Sequence, residues 1–225
     1  MELRFFEIYR SAEYLSLLAE GALVTVLLTL GGAALGFALA VLLAVARHAR
    51  VPVLAPASAA YVEAIRNTPL IVQLFFVAFG LPLLFGYAWP FWAHALLALT
   101  LNFSAYFAEI LRAGLQGVPG GQVEAATALG VRPAVTFRRI VFPQAVASVW
   151  PSLGSQFVFL FLTTAIIAEI GVRDLTNAGL YIDSRTFRSF EVFITLTAIY
   201  VGLALAFKAA LAVAARTMFP WVAAR

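Results

Sequence analysis

The sequence contains no cysteine and little charge: Lys, Arg, Asp and Glu together make up 12% of its 225 residues. The lack of cysteine excludes disulfide bonds and thiolate metal sites. The scarcity of charge, with a hydrophobic fraction of 63%, excludes an ordinary soluble domain, where about 25% of residues are charged. The Gly-x-x-x-x-Gly-Lys-Ser/Thr pattern of phosphate-binding loops is also absent. We therefore expect a chain that does not itself hydrolyse ATP and that binds no cofactor or metal.

The sequence contains several long apolar segments. A membrane-spanning helix needs about 20 predominantly apolar residues, and five segments provide such runs: 21–46, 51–84, 93–111, 141–168 and 192–215. They predict an all-α fold, a single multi-pass helical bundle over residues 1–225 with about five membrane helices. Pro69, inside the second segment, removes a backbone donor and predicts a kink there.

Residues 1–20 differ from the rest, because charged and apolar residues alternate there at helical spacings. They predict an external amphipathic segment on the membrane surface, although a frayed terminus fits the pattern equally well. The first apolar run is too long for the core of a secretory signal, and the residues before it are mixed in charge. No cleavable signal peptide is therefore expected.

The basic residues lie mainly between the apolar segments. Positive loops stay on the cytoplasmic side of a membrane, so the loop with Arg47 and Arg50 is predicted to be inside. Five spans then place the amino terminus outside and the carboxyl terminus inside. The predicted inner segments hold Arg47, Arg50, Arg112, Arg132, Arg138, Arg139, Arg216 and Arg225. The net charge of +4 thus reflects membrane topology, and no nucleic-acid partner is expected.

One hydrophilic stretch, residues 114–143, interrupts the apolar pattern. It predicts a short helix over residues 122–129, with Glu124 in the first turn, where the helix dipole favours an anion. Gly130 is the expected stop, since glycine readily adopts the left-handed conformation after a helix. So short a helix cannot bury a core of its own. It is suited to insertion into a partner, but an ordinary cytoplasmic loop would have the same local features.

The run Glu124-Ala125-Ala126, with Gly130 and the following Ile140-Val141-Phe142-Pro143, resembles the EAA motif of the membrane subunits of ABC importers. In that family the motif forms a coupling helix that sits in a cleft of a cytoplasmic ATPase subunit. The resemblance therefore implies a type I ABC importer fold. It assigns contact with the ATPase to Glu124, Ala125, Ala126, Gly130, Arg132, Arg138 and Arg139.

Two further stretches resemble one particular group within this family. Residues 66–75, RNTPLIVQLF, are similar to the RGTPLLVQLF signature of polar amino acid permeases, with Asn67 where glycine is usual. Residues 104–126 resemble the SAYxAEIxRGGIxSVPxGQxEAA run of the same group. Glu109 and Arg112 within this run are spaced to pair on one helix face. Arg66 has two interpretations: a structural or gating contact at the cytoplasmic side of the bundle, or a simple pairing with Glu63.

Polar side chains at membrane depth either bind a substrate or hold helices together. The candidates for the pathway are Arg66, Thr68, Gln73, Asn102, Ser104, Tyr106, Ser152, Gln156, Thr163 and Thr164. The run Leu162-Thr163-Thr164-Ala165 stands where many relatives carry Lys-Asp-Thr-Ser, so the charged pair is missing here. A different cargo, or polar contacts supplied by a partner copy, would account for that departure.

The resemblance implies the membrane subunit of an ATP-driven importer of polar or charged amino acids in the inner membrane of a prokaryote. Its partners would be two ATPase subunits that bind ATP and Mg, a second permease subunit (identical or a paralogue), an extracytoplasmic amino-acid-binding protein, and lipid. Residues 169–191 form a charge-balanced external segment, either a dock for the binding protein or an ordinary solvated loop. The alternatives are a permease for another small solute and an ion-coupled secondary transporter, whose typical internal repeats and deep acids are not evident.

Overall fold

The computed structural model describes residues 5–223, and regular structure within this range is helical. Most of the chain lies in a few long helices joined by short turns. They are α1 (Phe6–Tyr9), α2 (Ala12–His48), α3 (Leu54–Arg66), α4 (Leu70–Phe85), α5 (Phe91–Gln116), α6 (Gly120–Ala128), α7 (Pro133–Ile170), α8 (Leu175–Thr186), α9 (Ser189–Met218) and α10 (Pro220–Ala223). Helix α4 contains a π-helical stretch at Phe76–Gly80, α7 contains another at Phe137–Val141, and α7 ends in a 3₁₀ turn at Thr164–Ile170.

Four helices in the described range, α2, α5, α7 and α9, are long and apolar enough to cross a membrane. Helices α3 and α4 meet at an angle of 106° and together supply a fifth candidate span. This arrangement agrees with the expected bundle of about five spans, and the predicted break at Pro69 is confirmed. The side chain of Gln73 crosses the break, where its Nε2 donates to the Ile65 carbonyl at 2.8 Å. That bond satisfies a carbonyl that the end of α3 leaves without a helical partner.

Helix α5 is the centre of the bundle. It packs against α2 and α7, and its Leu99, Phe103, Phe107 and Leu111 are fully buried. Small residues let the helices approach closely, as the two glycines at positions 32 and 36 predict. A β-carbon on Gly36 would lie 3.3 Å from the carbonyl oxygen of Thr100 on α5. The backbone of α5 is thus held firmly against its neighbours.

The first apolar segment extends further than expected. Helix α2 runs without a break from Ala12, and the Ser11 hydroxyl caps it by accepting from the Tyr14 amide at 3.2 Å. Residues 12–20 are therefore the outer end of a 37-residue helix, and within the described residues only the short α1 precedes it. The length of α2 is about 55 Å, well beyond a hydrocarbon thickness of about 30 Å, so a long portion projects past the membrane.

The segment from 169 to 191 is not an open loop, which corrects the sequence-based expectation. Most of it forms α8, whose Leu175 and Ile182 pack on Leu18 of α2 and on Leu196 of α9. Two of its acids, Asp174 and Glu191, are buried. The balanced charges of this segment suggested a solvated loop. Sequence alone does not indicate that one face of α8 packs on the ends of α2 and α9.

The carboxylate of Asp174 caps α8 by accepting from the Asn177 amide at 2.9 Å. Burial raises the pKa of Asp174 from 3.8 to about 6, against the opposing effect of that hydrogen bond. A carboxyl whose pKa is higher in the folded state than in the unfolded chain stabilises the fold at pH values below its unfolded pKa. That contribution is lost as the pH rises through about 6.

Substitution Asp174→Asn, which keeps a capping side chain, is expected to remove this pH dependence. The melting temperature of the wild-type chain should fall between pH 5 and pH 7.5 relative to that of the variant, because only the wild type must ionise a buried group. Thermal unfolding of both proteins in one detergent across this range measures the difference. Parallel curves for the two proteins would contradict the burial effect on Asp174.

Candidate functional site

The bend between α3 and α4 opens a cavity of about 480 Å³, which we call the bend cavity. It lies where the bend meets α5 and α7, within the membrane-spanning bundle. Five of the pathway candidates line it: Arg66, Thr68, Asn102, Tyr106 and Thr163. The structure thus brings together residues from three separate stretches of sequence, at positions 66–68, 102–106 and 163.

Arg66 is the charged residue among those that line the bend cavity. Its guanidinium lies 5.6 Å from the centre of the Tyr106 ring, within the range of a cation–π contact. Glu63 is engaged elsewhere, since its carboxylate accepts from Asn67 Nδ2 at 2.9 Å. Among the described ion pairs none joins Glu63 to Arg66, so the simple pairing considered from sequence is not formed. Arg66 therefore offers its positive charge to the cavity.

An amide bridge holds the wall of the bend cavity. Asn102 Nδ2 donates to Gln73 Oε1 at 2.9 Å, and Gln73 Nε2 reaches Thr68 Oγ1 at 2.9 Å. The bridge joins α4 to α5 and closes over the bend at Thr68. Gln73 itself does not line the cavity; it positions two residues that do.

Four pathway candidates lie away from the bend cavity. Ser104 is fully buried, donates to the Leu101 carbonyl and lies 2.8 Å from the hydroxyl of Tyr61, so it joins α5 to α3. Thr164 is also buried and donates to the Phe161 carbonyl of its own helix at 2.5 Å. Ser152 and Gln156 lie closer to the start of α7 than Thr163 does, and they do not line the cavity. For Ser104 and Thr164 the structure therefore indicates packing roles.

Other lining residues were missed from sequence: Asn67, Pro69, Leu70 and Phe159. Phe159 precedes Thr163 by four positions, so both project from the same face of α7. That spacing was available in the sequence, but it became informative only once Thr163 was known to face the cavity.

Helix α6 follows the end of α5, on the side of the bundle predicted to be cytoplasmic. Glu124 and Ala125 are exposed, whereas Ala126 is buried and anchors the helix. The helix begins at Gly120, two residues earlier than expected, so Glu124 lies outside the first turn. Gly130 has φ +70°, which confirms the predicted left-handed stop. The three arginines that follow, Arg132, Arg138 and Arg139, are exposed.

Three exposed apolar residues on and just after α6 were missed from sequence. Leu129, at the end of α6, is 82% exposed, and Val123 and Val135 are exposed nearby in the chain. These residues lie on the predicted aqueous side, where exposed apolar groups mark protein contacts. The patch, defined by Val123, Leu129 and Val135, is named the coupling patch. Its residues were missed because a lone leucine next to a helix stop has the pattern of ordinary helix packing.

The inner end of α5 is fixed just before α6. Arg47 Nη1 of α2 contacts Glu109 Oε2 at 3.0 Å, and Arg112 Nε donates to Glu109 Oε1 at 2.9 Å. The predicted pairing of Glu109 with Arg112 is thereby confirmed and extended to a second helix. Arg112 also reaches Gln116 Oε1 at 2.8 Å. These bonds tie the two central helices together at the level where the chain leaves the membrane for α6.

Gly114 brings α5 and α7 into close contact at the same level. A β-carbon there would lie 2.6 Å from the carbonyl oxygen of Ala145. Helix α6 therefore emerges from a base in which α2, α5 and α7 are all locked together. A force on α6 would reach α5 directly, and α5 carries Asn102 and Tyr106 of the bend cavity.

Comparison with known proteins gives consistent results. Residues 36–220 match the family model described as binding-protein-dependent transport system inner membrane component. The L-cystine transport system permease protein TcyL of Bacillus subtilis is 35% identical over 77% of this chain and 75% of its own. The octopine transport system permease protein OccM of Rhizobium radiobacter is 36% identical over 83% of this chain and 79% of its own.

Solved structures share the fold. An amino acid ABC transporter with histidines superposes with a TM-score of 0.85 at 34% identity, over 96% of this chain and 100% of that chain. The MetNI methionine ABC transporter in an inward-facing conformation superposes with a TM-score of 0.77 at 22% identity, over 92% and 99% of the two chains. The second likeness concerns the fold alone.

Proposed function

The chain belongs to the family of binding-protein-dependent transport system inner membrane components, and we propose that it forms the membrane pathway for a polar amino acid. It is a membrane subunit of an ABC importer, with the type I importer fold. The bend cavity is the observation that carries the proposal about cargo. Relatives named for cystine, octopine and glutamine transport support an amino acid as the cargo. The residues that line the bend cavity indicate which kind of amino acid would fit.

The cavity lining suits an amino acid bound through its carboxylate. Arg66 supplies a positive charge, and Thr68, Asn102 and Thr163 supply hydroxyl and amide groups. No Asp or Glu is among the described lining residues, so a cationic side chain would meet no opposite charge in this subunit. The carboxylate of the cargo would face Arg66, and a polar uncharged side chain would fit the remaining groups best.

Substitution Arg66→Gln is expected to lower amino acid uptake about tenfold or more, because a charge-assisted hydrogen bond to the cargo is lost. Assembly with the ATPase should not change, since Arg66 lines the bend cavity and does not lie on α6. Thr164→Val is the matched control, because that hydroxyl bonds only within its own helix. Uptake by proteoliposomes, with ATP inside and binding protein outside, measures both. Wild-type uptake by the Arg66 variant would remove this residue from the pathway.

We propose that α6 is the helix through which two separate ATPase subunits, which bind ATP and Mg, drive transport. The exposed Glu124, the slim surface at Ala125 and the exposed arginines Arg132, Arg138 and Arg139 support this assignment. ATP-driven closure of the ATPases would move two α6 helices together and open the bundle outward. The rigid base around Glu109 would transmit that movement to the bend cavity.

Glu124→Lys is expected to uncouple hydrolysis from uptake while leaving the membrane domain folded, because it reverses an exposed charge on α6. Gln122→Lys is the control: it adds a lysine on the same short helix, about 200° around the axis from Glu124. The ratio of amino acid transported to ATP hydrolysed should fall about tenfold for Glu124→Lys and stay near wild type for the control. Equal ratios for all three proteins would count against a coupling role for Glu124.

The remaining partners follow from the proposed topology, with the amino terminus outside and the carboxyl terminus inside. A second permease subunit, identical or a paralogue, would complete the pathway. An extracytoplasmic binding protein would dock on the outer surface, where Phe187 at the end of α8 is 87% exposed. Both terminus positions are testable by protease accessibility of tags at the two ends.

ATP hydrolysis by the complex in lipid, with its binding protein and a panel of amino acids, tests the whole proposal. Stimulation by polar uncharged amino acids is the expected result. Stable assembly with an ATPase but no response to any amino acid would favour another small solute. Uptake driven by a proton gradient with no ATPase bound would instead support the ion-coupled alternative.

A further inference from the structure

A second cavity lies on the outside of the bundle, at its outer end. It is an apolar groove of about 550 Å³ between α2, the start of α5 and the turn before α8, and we call it the outer groove. Its walls include Val24, Leu27, Gly31 and Trp92, and Arg173 stands at its edge. Leu27 is 57% exposed, so the groove is open along its length. None of these residues belongs to the bend cavity or the coupling patch.

The groove begins at the outer boundary of the membrane. Helix α2 is free of charge from Gly21 to Ala46, and its inner end is marked by the ion pair of Arg47. Counting about 20 residues outward from that end places the outer hydrocarbon boundary near Leu27. From Leu27 to Gly31 the groove then descends about 6 Å into the outer leaflet, and Val24 lies about 5 Å outside the boundary. Trp92, exposed at its mouth, is typical of the membrane interface.

Arg173 is held at that mouth by its neighbours. Val172 and Asp174 are both buried, and Gly171 before them has φ +81°. Because the flanking residues are fixed, the exposed Arg173 side chain projects from a rigid turn. Within residues 5–223 no ion pair engages it. An unpaired guanidinium above an apolar groove matches a phosphate above an acyl chain.

A third cavity meets the outer groove at Arg173. It is more polar than the outer groove and has a volume of about 320 Å³; we call it the head-group cavity. Its lining includes Glu13 and Glu20 of α2, Arg173 and the buried Asp174. The two carboxylates of α2 are seven residues apart, so they lie on one face of that helix. A cation beside two carboxylates is the charge pattern that complements a phosphate followed by an ammonium group.

We propose that the outer groove and the head-group cavity together bind one phosphatidylethanolamine molecule of the outer leaflet. An acyl chain lies along α2 between Val24 and Gly31, the phosphate contacts Arg173, and the ammonium faces Glu20. A purely anionic phospholipid fits less well, because its head group would meet the two carboxylates without a positive charge. The lipid would brace α2 against the turn that precedes α8.

Native mass spectrometry of the purified full-length chain, in the complex with which it copurifies, tests this binding. Phosphatidylethanolamine and phosphatidylglycerol with identical acyl chains are added in turn, and we expect about tenfold greater retention of the first. Arg173→Gln should lower that retention about tenfold, since a charge-assisted contact is lost. Arg216→Gln is the matched control, because Arg216 is an exposed arginine near the end of α9 and lines neither the outer groove nor the head-group cavity. Equal retention of the two lipids, or wild-type retention of phosphatidylethanolamine by the Arg173 variant, would overturn the proposal.

A second measurement identifies the occupant of the groove directly. Because the chain has no cysteine, Leu27→Cys introduces a single thiol that can carry a photoactivatable cross-linker. Cross-linking in membranes should yield adducts of phosphatidylethanolamine. Cross-linking mainly to a protein subunit would show that protein covers the groove and would overturn the proposal. Neither measurement depends on cargo or ATP hydrolysis, so this result is independent of the transport assays.

Discussion

Substitution Leu129→Asp is expected to weaken the binding of the cytoplasmic ATPase by about a hundredfold or more. Leu129 is 82% exposed at the end of α6 and belongs to the coupling patch with Val123 and Val135. Burial of a leucine at an interface contributes about 1.5–3 kcal/mol, and an unpaired carboxylate in its place adds a desolvation cost. A loss of about 3 kcal/mol corresponds to a factor of about a hundred in Kd.

The dissociation constant of the ATPase, measured on the permease in nanodiscs, tests this expectation. Phe187→Asp is the control, because Phe187 is equally exposed, at 87%, but lies on the opposite side of the membrane. The control should keep wild-type affinity for the ATPase. If the Leu129 variant also keeps it, the coupling patch is not part of the ATPase interface, whatever the role of Glu124.

Substitution Gly21→Leu is expected to destabilise the fold by about 3 kcal/mol or more, because it forces α8 away from α2. A β-carbon on Gly21 would lie 2.7 Å from the Asp174 carbonyl oxygen and 2.9 Å from the α-carbon of Leu175. These are backbone atoms at the start of α8, so no side-chain rotation relieves the clash. The adjacent bond from the Leu175 amide to Thr25 Oγ1, at 3.1 Å, would be lost as well.

Thermal unfolding in detergent and the yield of monodisperse protein measure the effect. Gly202→Leu is the matched control, since no atom of a neighbouring element lies within 4 Å of a β-carbon at Gly202 on α9. The control should unfold near the wild-type temperature, while the Gly21 variant should unfold well below it. Similar behaviour of the two variants would show that the approach of α8 to α2 does not limit stability.

Helix α5 connects the two regions to which we assign function. Asn102 and Tyr106 line the bend cavity, Glu109 and Arg112 form the inner ion-pair cluster, and the helix ends at Gln116, just before α6. From Tyr106 to Gln116 the distance along the axis is about 15 Å. Its buried aromatic and aliphatic side chains hold it against α2 and α7. We infer that movement of α6 reaches the cavity through this one helix, without an intervening flexible loop.

Some features were predictable from sequence because they depend on local composition. Apolar length indicated the spans, Pro69 indicated the break, and Gly130 indicated the end of the coupling helix. Glu109 and Arg112 are a helical turn apart, so their pairing also followed from spacing. Each of these rests on a few consecutive residues or on a helical repeat, and distant parts of the chain have little influence on them.

Other features depended on contacts between distant segments. Ser104 and Thr164 are polar like their neighbours Asn102 and Thr163, but they are fully buried and do not line the bend cavity. Sequence spacing places a residue on a helix face, and it does not indicate which neighbour that face meets.

By itself the sequence determined a membrane bundle of about five helices and a short helix that stops at Gly130, because the lengths of apolar runs and the glycine stop are local properties. Only the tertiary structure decided which polar groups share the bend cavity, that α8 covers the outer ends of α2 and α9, and that Asp174 is buried there. Those arrangements depend on helix packing, in which residues far apart in sequence compete for the same space and the same hydrogen bonds.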